Sequence, residues 1–143
     1  MKKDDLAGLL EISLTVFEAS QAKLHPILKE EMRLRDLLAD LSQDAAVARL
    51  SFQTDLNMRA VRADEAWNTW AEQNRRTLNL KLAQILAQKE VAMASVKKSF
   101  GKLEALRAIS AVAKKESEAR LAVRNSDAQL QAYLTRVNNT RTF

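Results

Sequence analysis

The chain of 143 residues carries a net charge of +5, with two Gly, one Pro, seven aromatics and no Cys. That length suits one domain, the composition is that of long helices and argues against a sheet, and the lack of Cys excludes a disulfide framework and Cys-ligated metal. Residues 1–66 hold nine Lys/Arg against twelve Asp/Glu and residues 67–143 hold fourteen against six, so two halves of −3 and +8 attract each other. Such a split fits an acidic helix beside a basic one or, as the sharper alternative, a nucleic-acid surface.

The first residues, Met-Lys-Lys-Asp-Asp, begin as a signal peptide does, but Asp4, Asp5, Glu11 and Glu18 interrupt any apolar core for it. No apolar run approaches the ~18 residues of a membrane span. The expectation is a soluble, cytoplasmic protein.

Helix one is predicted over about 5–54, with Asp4 and Asp5 supplying an N-cap and first-turn negative charge. Steps of four and three residues from Leu6 to Phe52 pick out a ladder in which eleven of fourteen positions are apolar. This is the seam of a coiled coil. Pro26 removes one helical hydrogen bond at a cost of roughly 3 kcal/mol, yet the ladder keeps phase across it at Leu24 and Ile27. The readings are a kink or a separate short helix ending near His25. His25 has no second ligand at helical spacing and reads as a surface residue.

The ladder ends at Phe52. Thr54, Asp55, Asn57 and Asp64 mark a connector over about 55–64, with Asp64 as the cap of helix two. Helix two is predicted over about 65–137, weakened only at Gly101, with a disordered tail over 138–143. If the chain reverses between the helices, Phe52 meets Trp67, Leu41 meets Leu78, Leu34 meets Ile85 and Leu24 meets Val96. The one charge in the first seam, Glu31, then falls opposite the one charge in the matching part of the second, Lys89. Paired exceptions of this kind fix register. Ser20 falls opposite Ser99 and Phe100, and beyond Leu103 the seam follows either Leu106, Ser110 and Ala113 or Ile109 and Val112.

The predicted fold is therefore all-α, an antiparallel coiled-coil hairpin of two long helices with arms of roughly 70 Å. Helix one runs out at Leu6, so helix two overhangs beyond about Lys114. Its stripe of Ala119, Val123, Ser126, Leu130, Tyr133 and Val137, amid Lys114, Lys115, Arg120, Arg124 and Arg136, calls for a partner, a second copy or solvent. At the other end, Trp67 and Trp70 cannot both enter one two-helix seam, which leaves one as a partner anchor.

Chemistry-bearing motifs are missing: no Gly-rich phosphate loop, no His-Glu-x-x-His, no serine-histidine arrangement. Acidic pairs such as Glu30-Glu31 read as solvated helix surface, and a single-layer hairpin has no cleft to desolvate a substrate. No enzymatic activity, cofactor, metal or small-molecule substrate is expected.

The length, basic balance, early first helix, central connector and longer second helix resemble the FliJ family of flagellar export proteins and the YscO-like proteins of type III secretion. The Trp67/Trp70 pair at the start of the second helix and the Lys-Leu-Glu-Ala-Leu stretch from Lys102 to Leu106 are similar to features of that family. The resemblance implies a monomeric stalk, peripheral to a membrane-embedded export apparatus. It also implies contact with the export gate near the connector, through Leu41, Ala45, Ala48, Phe52, Trp67, Trp70 and Leu78. The hexameric export ATPase would be met at the termini end, through Leu6, Lys114, Lys115, Arg120, Val123, Arg124, Leu130 and Tyr133. Chaperone escort is a further implied role. A helical scaffold built from several copies is the structural alternative, and nucleic-acid binding ranks last because the basic residues are scattered round the helix without stacking aromatics.

Overall fold

A computed structural model describes residues 2–140. The chain order is α1 (Lys3–Thr54), α2 (Leu56–Ala60) and α3 (Ala63–Thr140), with no strand among the described residues. The long α1 and the longer α3 pack against each other. Two compact units divide the chain, Met1–Thr15 with Phe100–Phe143 in one and Val16–Ser99 in the other. No helix among the described residues is long and apolar enough to cross a membrane.

All fourteen ladder positions of α1 are buried or half-buried, and of its other residues only Gly8 and Glu30 are. This follows from helical geometry: positions four and three apart share one face, and only one face of α1 has a neighbour. In the unit Val16–Ser99 three contacts give the order of pairing. Ser20 Oγ lies 2.9 Å from Ser99 Oγ, Glu31 Oε2 lies 2.8 Å from Lys89 Nζ, and the Phe52 and Trp67 ring centroids are 6.5 Å apart. Rising numbers on α1 thus meet falling numbers on α3.

Two serines in a buried seam demand hydrogen bonds, and each also reaches a carbonyl one turn back, Ser20 to Phe17 at 2.7 Å and Ser99 to Val96 at 3.0 Å. Their two hydroxyl protons can serve two of these three bonds at any moment, so no donor is wasted. Of the two residues expected opposite Ser20, Ser99 is the buried one and Phe100 is largely exposed.

Within the unit Met1–Thr15 with Phe100–Phe143, Leu103 is fully buried and Leu106 and Ser110 are half-buried, whereas Ile109 and Val112 stand exposed. Leu6 and Leu10 line one groove with Ser110 and Ala113. The seam therefore takes the first of the two paths open to it.

Several boundaries differ from expectation. Helix α1 starts at Lys3, which puts Asp4 and Asp5 inside its first turn, where their negative charge complements the positive end of the helix dipole. It stays helical through Pro26, and no separate helix ends at His25. The buried Leu24 and half-buried Ile27 on either side supply the packing that offsets the missing backbone bond.

The expected connector over 55–64 shrinks, because Asp55 caps a further turn. Its Oδ1 accepts from the backbone N–H of Asn57 at 3.0 Å and Met58 at 3.3 Å, and α2 follows. Arg62 then adopts a left-handed φ of 56°, a conformation that costs a non-glycine residue about 1 kcal/mol. As α3 begins at Ala63, Asp64 lies in its first turn and is not its cap. At the far end α3 continues to Thr140, so 138–140 are helical; Thr140 Oγ1 bonds the carbonyls of Val137 at 2.9 Å and Arg136 at 3.2 Å. The remainder of the expected tail, 141–143, lies outside the described residues.

Leu34 is 0% exposed, and Leu34→Ala is expected to lower unfolding stability by about 2–5 kcal/mol, against a change within about 0.5 kcal/mol for the exposed Ile12→Ala. A Cβ added at Gly101 meets nothing within 4 Å, so Gly101→Ala is expected to add about 1 kcal/mol. Urea titrations followed by circular dichroism read all three.

Candidate partner-binding surfaces

In the unit Val16–Ser99, Trp67 and Trp70 sit three residues apart on one face of α3, with ring centroids 6.1 Å apart and planes inclined by 49°. Phe52 of α1 meets Trp67 at 59°. Trp67 is half-buried between these two rings, while Trp70 is 53% exposed. Asn74 Nδ2 donates to the Trp70 carbonyl at 2.9 Å, so the backbone beneath the exposed indole is braced.

The other residues that the resemblance places at this end are less available. Leu41 and Ala45 are buried in the seam, and Ala48, Phe52 and Leu78 are half-buried. Their role is to hold the two helices together, which leaves Trp70 as the member of the set that a partner can reach. Sequence reasoning missed Leu56, Met58 and Val61 around the short α2, and Val47 and Leu50 on the outer side of α1, all exposed. The available signal was apolar residues off the ladder, at the end of α1 and among the Asp, Asn, Arg and Ala of 55–64.

In the unit Met1–Thr15 with Phe100–Phe143, Leu6 is buried, but Lys114, Lys115, Arg120 and Arg124 are exposed. Val123, Leu130 and Tyr133 are 60%, 58% and 64% exposed. From residue 111 to 140 only Val137 is even half-buried. The Arg120–Glu116 contact in this stretch, at 3.9 Å, is long and solvated, of a kind worth little. This part of α3 therefore presents charged and apolar side chains together to solvent.

The register pair is an ion triplet. Glu31, whose side chain is only 10% exposed, takes Lys89 Nζ on Oε2 at 2.8 Å and Arg35 Nη2 on Oε1 at 2.9 Å; Arg35 Nε reaches the same oxygen at 3.0 Å. The Lys89 hydrogen bond, followed by that of Arg35, holds the Glu31 carboxyl below its ordinary value. Among the described residues no three His, Asp or Glu side chains gather as metal ligands.

No protein-family model matches the chain, and no curated protein or solved structure matches it either.

Because the folded state binds the Glu31 proton more weakly than the unfolded chain does, the stability from its ionised form is fully present above the ordinary value of 4.5 and is lost as pH falls through the lower folded value. Glu31→Gln is therefore expected to destabilise at pH 7, and its gap from the wild type is expected to narrow well below pH 4.5. Paired denaturation curves at the two pH values check this; a gap independent of pH would contradict it.

Proposed function

We propose that this chain is a non-enzymatic coiled-coil stalk component of a flagellar or type III protein export apparatus. In this reading α1 and α3 are the arms of an antiparallel coiled-coil hairpin that bridges the hexameric export ATPase and the cytoplasmic domain of the export gate, with chaperone escort as a further role. The protein works in the cytoplasm, peripheral to the membrane-embedded apparatus.

The observation that carries the proposal is the stretch of α3 over 111–136, whose side chains are exposed and are apolar and basic at once. A helix folded in this way gains stability only when something covers it, and the family resemblance supplies the ATPase as that partner. Trp70, exposed and braced by Trp67, supports a second contact, with the gate. Rigid indoles on a firm base are the side chains most often found to dominate binding. A helical scaffold made of several copies is the second reading, favoured by the same exposed leucines and valines of α3.

Copurification with the hexameric ATPase is expected for the full chain and is expected to disappear when the chain is truncated after Lys114; binding that survives truncation would remove the ATPase role from this stretch. Trp70→Ala is expected to weaken gate binding by roughly thirtyfold, the effect of ~2 kcal/mol at a hot spot, with the ATPase interaction unchanged. Calorimetry against each partner reads the two effects separately.

A further inference from the structure

We propose that the exposed part of α3 pairs with the same stretch of a second copy, antiparallel, about a two-fold axis lying between Val123 and Ser126. Two different stripes run along α3 in this region. One, through Leu106 and Ser110, is used up within the chain; the other begins one position away, at the exposed Ile109 and Val112, and continues by four and three residues to Val137. It covers four heptads, a length at which helix pairing becomes stable.

The residues of this second stripe complement one another when one copy is reversed. Val112 falls against Val137, Ala119 against Leu130 and Val123 against Ser126, each small or branched side chain opposite one it can accommodate. Glu116, the one charge in the stripe, falls against Tyr133, whose phenolic hydroxyl can donate to the carboxylate. On one flank Arg120 faces Asp127 of the second copy, and by symmetry the same pair forms twice. On the other flank Lys115 faces Arg136, but near the ends of the paired stretch, where solvent screens the repulsion.

A parallel arrangement fails on the same residues. It would stack Glu116 on Glu116 within the seam and set Lys115 beside Arg120, like charges in both places. The Arg120 guanidinium, exposed in solvent, is at hand for the antiparallel partner, since among the described residues its ion pair is the loose 3.9 Å contact to Glu116.

Self-pairing departs from the monomer that the family resemblance implies and deepens the reading of several copies; the export reading then concerns the chain once it has left its second copy and bound the ATPase. The two states use one surface, so copies must separate before a partner is captured. The pairing holds the stripe out of water in the free protein and makes partner binding depend on chain concentration.

Sedimentation equilibrium of the full chain from about 1 to about 100 µM is expected to show a rise from 16.1 kDa toward twice that mass. Val123 and Leu130 are exposed within the chain, so Val123→Asp and Leu130→Asp are expected to keep their helix content and to weaken association at least tenfold. The chain has no Cys, which allows orientation to be read by oxidation. Val112→Cys mixed with Val137→Cys is expected to yield a disulfide-linked dimer, and neither variant alone is expected to link. A chain that stays at 16.1 kDa throughout, or Val112→Cys linking to itself, would overturn the proposal. Pairing in a chain that fails to bind the ATPase would sink the export reading alone, and ATPase binding by a chain that never pairs would sink this inference alone.

Discussion

Everything in this fold depends on one constraint: a helix with a single neighbour has a single face to bury. All fourteen ladder positions of α1 obey it, and the rest of α1 is almost entirely solvated. Among the described residues α1 buries no residue on its other faces beyond the half-buried Gly8 and Glu30, so burial and register become the same property. Shifting one helix by a turn would leave each large side chain facing the wrong cavity, and the cost would be felt along the whole seam.

The same constraint explains why the polar members of the seam come in pairs. A lone carboxylate beneath packed side chains would cost several kcal/mol, but Glu31 is met by Lys89 from α3 and by Arg35 from its own helix. Ser20 and Ser99 satisfy each other and a carbonyl in the preceding turn. These contacts add little net stability compared with apolar replacements. What they contribute is discrimination, because in any other register each group would be buried without its partner.

Surfaces available to other molecules are found where the seam makes no demand. Trp67 is drawn between Phe52 and Trp70, and Trp70 is left in solvent on that base. Beyond residue 110, α3 retains an apolar stripe that its own chain does not cover. The two sets differ in character. An aromatic on a braced backbone suits a compact contact with a few dominant side chains, whereas a helical stripe of Val, Leu and Tyr with flanking Arg and Asp suits pairing with another helix.

The helical class, the fourteen ladder positions and the meeting of Glu31 with Lys89 are legible in the sequence, because periodicity and charge are properties that can be read along one dimension. So is the exclusion of one of the two tryptophans from the seam. Packing of the two helices selects Trp70 as the exposed one, sets Ser99 against Ser20, and takes Leu106 and Ser110 into the seam while leaving Ile109 and Val112 exposed. Each of these is a choice between neighbouring positions of similar propensity, settled by which one the other helix can cover. The unbroken phase of the ladder across Pro26 already pointed to one continuous α1, whereas the short α2 that Asp55 caps was hidden. Local propensity prices a proline or an aspartate on its own, while the outcome rests on contacts made by residues distant in the chain.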